Sequence, residues 1–504
     1  MSRKLIFGPV LGLDAEDTYT VCFVTDSGVP EVTVKIDEKE ILATEVQNLP
    51  GGGKFWRAAK KVNIPNSSKG KLIEYSVNCG DEFYTDKSGR RSWQFYVPGT
   101  DEEPRIAYTS CNGVSKSDLI AKMDDPFKLW EEMAELHLKE PFSLMLMGGD
   151  QIYADSIWDK VKALEEWSSL KISDQKKRKG SKQLSSQLDQ FYSKLYTERW
   201  SEENMSFMLA SAPSIMMWDD HDIFDGWGSF PEGLQQSAIF SEIFVYAKKY
   251  FELFQIRSGK NSSLLSKNEG HYSLSLKFRN YNILALDNRS ERTINQVMSP
   301  QHWDDIIHCL KSVDSGNLIV MSAVPVVYRD FSFTETAFDV TPWDESLADD
   351  LKDHWRAKEH QGERSRLIMR LLENAAMRNV NSKESRTIIL SGDVHVGCLG
   401  IVNDRSGEKL IKIHQVVSSG IIHPAPSLIQ WLGIKAVTND DDEPLNEERT
   451  IEASMLTPIG SKKYIRARNF VTLQKGTDGK IWVNWIVDGS KGSETGERPV
   501  YPIS

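Results

Sequence analysis

The sequence predicts an α/β (α+β) protein in which an N-terminal β-sandwich precedes a larger domain of layered strands and helices. Short strand-like runs with turn signals between them recur about every ten residues up to residue 99, which is typical of a sandwich. Beyond that point apolar strand runs alternate with helical patterns, which indicates α/β layers. A polar, turn-rich stretch at residues 99–104 separates the two patterns. We therefore predict one domain over residues 1–103 and a second over residues 104–504.

The first domain has strand-like runs at residues 19–25, 31–36, 41–49, 55–64, 72–78 and 92–97. They fit an immunoglobulin- or fibronectin-like sandwich without a cluster of catalytic residue types, so we expect an accessory module. In the second domain strands are predicted at residues 105–110, 142–147, 214–218, 272–278, 282–287, 318–327, 387–391 and 410–417. Helices are predicted at residues 127–138, 156–170, 184–209 and 234–254, and a closing hairpin at 470–474 and 480–487.

Length, charge and cysteine usage narrow the class of protein. A chain of 504 residues is longer than one hydrophobic core normally supports. The net charge of -11 argues against stable binding to nucleic acid, and the basic run at residues 176–182 is interpreted as a solvated loop. The five cysteines show no regular spacing, so we expect no disulfide framework, but a Cys22–Cys79 pair stays open.

Targeting signals in the sequence are weak. The apolar run at residues 5–13 follows a basic start, but proline and glycine interrupt it and no small-residue cleavage site follows. No segment reaches the roughly 20 apolar residues that a membrane span needs. We expect a soluble, cytoplasmic protein without a membrane span, and the sequence does not indicate its oligomeric state.

Residue types that bind metals or phosphate follow five of the predicted strands. The clusters are Cys111-Asn112, Asp150 to Tyr153, Asp219 to Asp222, Asp287 to Arg292 and Asp393 to His395. Reactive side chains in α/β proteins gather at the carboxyl ends of strands, where loops bring them together. A carboxylate can bridge two cations, and carboxylate, imidazole and thiolate groups together suit a dinuclear metal site. One such strand ending is ordinary turn chemistry, whereas five together indicate a site.

These motifs resemble those of the PhoD-like alkaline phosphatases, a branch of the calcineurin-like metallophosphoesterase superfamily. The resemblance rests on Ser110-Cys111-Asn112, Gly149-Asp150-Gln151-Ile152-Tyr153, Trp218-Asp219-Asp220-His221-Asp222, Leu286 to Arg292 and Gly392-Asp393-Val394-His395, in the family's order. It implies a four-layer αββα catalytic domain behind the small β domain. It also implies a phosphomonoesterase or phosphodiesterase that hydrolyses a small-molecule phosphate ester by attack of a metal-bound hydroxide.

The resemblance implies a role for each of these residues. The implied metal ligands are Cys111, Asp150, Tyr153, Asp220, Asp393 and His395, with Asp150 as the bridge and with Cys111 and Tyr153 on a ferric-type ion. His221 is implied to contact the substrate phosphate and to protonate the leaving group, and Arg289 to bind phosphate. The residues implied to lie beside the ligands or the substrate are Asn112, Asp219, Asp287 and Arg292. Two or more metal ions are implied, Fe³⁺ with Ca²⁺ first, and Mn²⁺ or Zn²⁺ as alternatives.

The chain departs from the family pattern in two places. Asn112 stands where many relatives have glutamine, and residues 321–327 lack the superfamily's separate metal-binding histidine. His354 and His360 are candidates for a late ligand, and His423 is the other histidine that we expect near the site.

Several of these residues also have an ordinary structural interpretation. Taken alone, Cys111 would be a small buried hydrophobic residue and Tyr153 a core aromatic residue. We interpret Asp219 as structural, Asp155 as the cap of a helix that begins at Ser156, and the acidic run at residues 440–443 as a solvated loop.

Two other classes of function stay open. A His-Asp pair such as His221-Asp222 also occurs in helical phosphohydrolases, but here it follows a predicted strand, which argues against that class. The second is a catalytically inactive protein of the same fold that serves as a binding or regulatory module. The joint presence of the carboxylates and histidines argues against this loss of activity; they are Asp150, Asp220, His221, Asp393 and His395.

Overall fold

The computed structural model describes residues 2–258, 261–266, 270–330, 354–381, 385–489 and 498–504. Its strands are β1 (Ser2–Lys4), β2 (Phe7–Ala15), β3 (Thr18–Asp26), β4 (Thr33–Ile36), β5 (Lys39–Leu42), β6 (Thr44–Leu49), β7 (Gly53–Lys61), β8 (Lys71–Cys79), β9 (Glu82–Thr85), β10 (Trp93–Val97), β11 (Ile106–Thr109), β12 (Leu144–Gly148), β13 (Ser214–Met217), β14 (Leu274–Phe278), β15 (Tyr281–Leu286), β16 (Asn317–Ser322), β17 (Thr387–Ser391), β18 (Gly397–Asp404), β19 (Ile411–Val417), β20 (Glu443–Pro444), β21 (Ile451–Leu456), β22 (Tyr464–Ile465), β23 (Asn469–Lys475), β24 (Ile481–Val487) and β25 (Val500–Ile503).

The helices are α1 (Ser117–Lys122), α2 (Lys128–Lys139), α3 (Ile157–Lys160), α4 (Lys162–Ser168), α5 (Ile172–Gln175), α6 (Lys182–Arg199), α7 (Glu203–Ser211), α8 (Glu232–Gln235), α9 (Ala238–Phe251), α10 (Pro300–Ser312), α11 (Gln361–Asn381) and α12 (Leu428–Val437). A 3₁₀ turn covers Asp220–Asp222, and a π-helix at Glu252–Ile256 continues α9. None of the helices in the described part of the chain is long and apolar enough to cross a bilayer.

The described part of the chain contains three β-sheets. A ten-stranded sheet has the order β25-β24-β23-β11-β12-β13-β2-β3-β7-β6, and a nine-stranded sheet has the order β14-β15-β16-β17-β19-β18-β21-β20, with β22 against β18. The six-stranded sheet, β1-β9-β8-β4-β5 with β10 against β8, is built wholly from the first hundred residues.

Alternation of side chains along the central strands separates two cores. In β16, Ile319 and Met321 belong to the core shared with the ten-stranded sheet. Their neighbours Leu318 and Val320 belong to a second core with apolar residues of α10 and α11, such as Trp303 and Leu367. Successive residues of a strand face opposite sides, so a strand that is apolar throughout is covered on both faces. The predicted α/β fold class with layered sheets and helices is confirmed.

Strand β2 joins strands of the first hundred residues to β13 of the ten-stranded sheet. β2 contains most of the apolar run at residues 5–13, and it pairs with β13 through Gly12 and Ser214. The Arg257 guanidinium passes so close to Gly12 that a Cβ there would lie 2.6 Å from its Nε. The same guanidinium donates to the Ser214 hydroxyl at 2.9 Å. Strands β2, β3, β6 and β7 therefore extend the ten-stranded sheet across the boundary at residue 103, which stays a prediction.

The structure answers two further predictions, the possible Cys22–Cys79 disulfide and the closing hairpin. Cys22 lies in the ten-stranded sheet and Cys79 in the six-stranded sheet, and both carry free thiols, as do the other three cysteines. The predicted closing hairpin is confirmed as β23 and β24, and β23 pairs with β11 at the other end of the ten-stranded sheet.

The acidic run at residues 440–443 is not a solvated loop throughout. Glu443 receives two hydrogen bonds from Arg364, at 2.9 and 2.7 Å, and pairs with Arg356 at 2.9 Å. Asp440 pairs with Lys463 at 3.1 Å and with Arg329 at 3.4 Å. Burial raises the pKa of Glu443, but the hydrogen bond and charge of Arg364 outweigh it and hold that pKa below its usual range.

We expect Glu443→Gln to lower the free energy of unfolding by about 2 kcal/mol, because the amide cannot compensate two buried guanidinium groups. Unfolding in urea near neutral pH measures this. A depressed carboxyl pKa stabilises the fold above the unfolded pKa of about 4.3 and loses that effect as pH falls. The difference from wild type should therefore shrink on acidification. Glu447→Gln, at an exposed position, is the control. An equal loss in both variants would contradict the role of the ion pairs.

Candidate metal centre

Seven strands in two sheets bring their carboxyl ends to one place. β11, β12 and β13 are parallel neighbours in one sheet, and β15, β16, β17 and β19 are parallel neighbours in the other. The loops after β11 and β19 are hydrogen-bonded to each other: the Ser110 hydroxyl donates to the Ser418 carbonyl at 2.8 Å. The His423 amide donates to the Cys111 carbonyl at 3.2 Å. The sequence clusters that follow these strands therefore lie at one shared edge.

Four of the predicted ligands have a left-handed backbone. Their φ angles are 51° at Cys111, 54° at Asp150, 67° at Asp393 and 53° at His395. Such conformations cost residues other than glycine about 1 kcal/mol or more and persist where the surroundings fix them. One such fixed point is the Asn112 amide, which donates to the Asp150 carbonyl at 2.8 Å. This concentration of strained backbone is typical of a functional site.

Asp150 lies at the centre of this edge. Its side chain is buried, its Oδ1 has no hydrogen-bond partner among the described residues, and its Oδ2 lies 3.4 Å from the Cys111 thiol. Donor atoms of Asp150, Asp220 and His221 lie within 4.8 Å of one another. Burial raises the pKa of Asp150 well above its usual value, and nearby carboxylates such as Asp219 raise it further. A carboxyl group in such surroundings stays protonated until a cation compensates its charge.

Tyr153 also fits a metal site. Its buried hydroxyl has no hydrogen-bond partner in the described part of the chain. Burial raises the pKa of Tyr153 well above 10, and the charges of Cys111 and Asp150 add to that shift. A phenol, a thiol and a carboxylate that all resist ionisation side by side become good ligands once a cation shares their space.

His221 is held by Asp155, which was predicted to cap a helix. Its Nδ1 lies 3.0 Å from both oxygens of Asp155, and its ring stacks on Tyr153 with 4.2 Å between centroids. The expectation that Asp155 caps the following helix is wrong: α3 begins at Ile157 without a side-chain cap, and Asp155 instead turns to His221. Burial lowers the pKa of His221, but the charges of Asp155, Asp220 and Asp225 outweigh it and raise that pKa well above 6.5.

Asp222 ties two of the clusters together. Its carboxylate accepts hydrogen bonds from the amides of Gln151 and Ile152 at 3.1 Å and of Asp219 at 2.9 Å. The Gln255 side chain donates a further one at 2.8 Å from the π-helix after α9. Burial raises the pKa of Asp222 to about 7 despite these donors. A short π-helical turn at the end of an α-helix is frequent at functional sites, and here it carries the Gln255 side chain that contacts Asp222.

Arg289 does not face open space, as a direct phosphate contact would require. Its side chain has no exposed surface; its Nε pairs with Asp219, and its Nη2 lies 3.5 Å from Asp220. Its Nη1 donates to the Trp227 carbonyl at 3.0 Å. The arginine thus compensates the buried charge of Asp219, a structural place that agrees with the sequence interpretation of Asp219.

Asp287 and Arg292 hold the loop after β15. The Asp287 carboxylate accepts from the Trp218 indole at 2.9 Å and from the Arg289 amide at 3.0 Å. Burial raises the pKa of Asp287, but hydrogen bonds such as that of Ser290 outweigh it and lower that pKa. The Arg292 guanidinium lies 3.2 Å from the His360 Nδ1. The contacts of both side chains therefore stabilise the loop that follows β15.

Asn112 is a structural crosslink rather than a surface for substrate. The residue is fully buried, and its side-chain Nδ2 donates to the Gln151 carbonyl at 3.2 Å. Its oxygen accepts a hydrogen bond of 2.8 Å from the Trp130 indole. It therefore joins the loops after β11 and β12, on which Cys111 and Asp150 stand.

The loop after β17 carries Asp393 and His395 to the same edge. His395 stacks on His423 with 3.6 Å between ring centroids, and His423 in turn stacks on Tyr153 at 5.8 Å. The Nε2 of His354 lies 4.0 Å from Asp393. Within the described residues, Asp393 and His395 do not join a set of three donors as close as that of Asp150.

The structure thus brings most predicted residues together and adds others. His423 was expected near the site and lies in it. The sequence did not indicate that Asp155 and Asp225 belong to the site, although their donors lie within 4.8 Å of each other and of His221. Nor did it indicate the contact of Gln255 with Asp222. The position of Asp155, two residues after Tyr153, was the available signal; a π-helix around Gln255 has none that we recognise.

Comparison with solved structures identifies the fold. The structure of PhoD superposes with a TM-score of 0.60 at 15% identity, over 99% of this chain and 89% of that chain. Purple acid phosphatase PPD1 from yellow lupin (Lupinus luteus) seeds gives a TM-score of 0.52 at 13% identity, over 98% and 74%. The protein therefore has a metallophosphoesterase fold.

Comparison of sequences gives the family. The model of the PhoD-related phosphatase family matches residues 83–341, which is more than half of the 504 residues. The chain belongs to this family. It is also 26% identical over 427 residues to the uncharacterized protein YGR266W of Saccharomyces cerevisiae. That alignment covers 72% of this chain and 58% of the yeast protein, so the chain spans less than two thirds of that relative's length.

We expect Gln255→Met to weaken metal binding about tenfold, because Asp222 loses its side-chain donor and no longer fixes the Asp150 loop. Calorimetric titration of the chelator-treated protein with Mn²⁺ measures this. Gln190→Met, at an exposed position of α6, is the control and should bind as wild type does. Unchanged affinity in Gln255→Met would show that the loop holds its place without this contact.

Proposed function

We propose that this protein hydrolyses small-molecule phosphate esters, as a monoesterase or diesterase, at a metal centre around Asp150. One observation carries the proposal: Asp150 is a buried carboxylate with an oxygen that no described residue compensates, among further buried aspartates and beside His221. Such a carboxyl group is ionised in a protein interior only when a cation compensates its charge, and bound metal ions would supply that cation.

The residues that would hold the metals are Cys111, Asp150, Tyr153, Asp220, Asp393 and His395. Thiolate, phenolate and imidazole donors suit a transition ion, and carboxylates suit a harder ion, so these residues fit the Fe³⁺ and Ca²⁺ that the family resemblance implies, with Mn²⁺ or Zn²⁺ as alternatives. When bound, the metals supply Lewis-acid stabilisation of phosphoryl oxygens and acidify a water molecule.

His221 would donate a proton to the leaving group. Its Nδ1 is held by Asp155, which leaves its other ring nitrogen for the substrate side. The charges of Asp155, Asp220 and Asp225 raise its pKa well above 6.5, and a cationic imidazole can bind a phosphate oxygen and protonate a leaving alkoxide. Arg289, bound to Asp219 and Asp220, positions a ligand-bearing turn instead of contacting substrate.

We expect the metal-loaded protein to hydrolyse an aryl phosphate monoester or diester, and His221→Ala to lose about 10²–10⁴-fold of that turnover while it keeps its metal. Asp155→Asn should lose less, because the amide still orients the ring but no longer supports its charge. Turnover and metal content are measured on the same samples.

Asp159→Asn, at an exposed position of α3, is the matched control and should match wild type. Full turnover in His221→Ala would remove its role as proton donor, and loss of metal would make it a ligand. A metal-loaded wild-type protein that cleaves neither ester would overturn the proposed function.

A further inference from the structure

A cavity lined mostly by polar and charged residues lies at the end of the nine-stranded sheet opposite the metal centre. It has a volume of about 480 Å³ and lies where β17 and β19 begin, whereas the metal centre lies where they end. The seven residues of β19 span roughly 20 Å at a rise of about 3.3 Å per residue. The two sites are therefore well separated in space.

Positive charge dominates this cavity. Arg386, Lys409 and Lys412 line it, together with His414, and the described lining residues include no aspartate or glutamate side chain. The other lining residues are Asn379, Ser385, Leu410 and Ser504. Three cations therefore surround one concave space in a chain whose net charge is -11, and such a space attracts anions.

The cations also affect a buried residue of the cavity. His414, on β19, lines the cavity and is only 3% exposed. Burial, together with the charges of Lys412 and Arg386, lowers the pKa of His414 to about 4. A neutral imidazole with two cations near it is an environment that an anion would stabilise.

We propose that this cavity binds a small phosphorylated anion. Its volume suits a metabolite-sized ligand, and an arginine together with two lysines matches the several acceptor oxygens and the double charge of a phosphate group. The inference rests on the lining residues alone and does not depend on the proposed function of the metal centre.

The test is calorimetric titration with pyrophosphate in the presence of a chelator, so that the metal centre holds no cation that would bind the ligand. We expect saturable binding to the full-length protein and a loss of at least about tenfold in Lys409→Gln/Lys412→Gln. Both lysines reach solvent, and thermal melting checks that the variant is folded. Arg386→Gln is a second variant, with the same expected loss.

Lys176→Gln/Lys179→Gln removes the same charge from the exposed basic run and should bind within about twofold of wild type. An equal loss in this control, or no saturable binding to wild type, would overturn the proposal. Vesicles with and without a phosphorylated lipid identify the source of the phosphate group. Binding to the lipid alone, and not to soluble pyrophosphate, would overturn a soluble ligand.

Discussion

The site depends on how buried negative charge is compensated at one edge of two sheets. Asp219 is compensated by Arg289, and Asp222 receives amide donors from two loops. Asp150 has the Cys111 thiol on one oxygen and no described partner on the other. The neighbouring carboxylates already use the nearby donors, so Asp150 either stays protonated or is compensated by a cation, and the charge of His221 supplies part of that compensation. The surrounding loops, with their left-handed residues, carry the side chains that would hold such a cation.

The sequence predicted the fold class and the strand ends because both rest on local patterns. Apolar runs followed by acidic or imidazole residues are readable one segment at a time, and parallel strands in one sheet end at one edge. The chain therefore revealed Asp150, Asp220 and His395 as members of one set before any contact was known. The resemblance to a family added the expected roles, which remain proposals.

What the sequence did not predict depends on contacts between distant segments. Asp155 was taken for a helix cap because its sequence neighbours suit one, but a contact with His221, 66 residues away, decides its orientation. Arg289 was expected to bind phosphate because the family resemblance implies that role, yet it lies buried against Asp219, 70 residues away. Glu443 was expected to be solvated because it belongs to an acidic run, yet it pairs with Arg364 and Arg356. In each case the partner, and not the local pattern, sets the role.

The most direct measurement is the metal content of the wild-type protein and of Asp150→Asn, purified without chelator and analysed for metals and for folding. The compensation described here predicts about two metal ions per wild-type chain and their loss in a variant that remains folded. A visible absorption band in the wild type would identify ferric iron bound by Tyr153 or Cys111. A folded wild-type protein that takes up no metal from a mixture of iron, calcium, manganese and zinc would contradict the central claim.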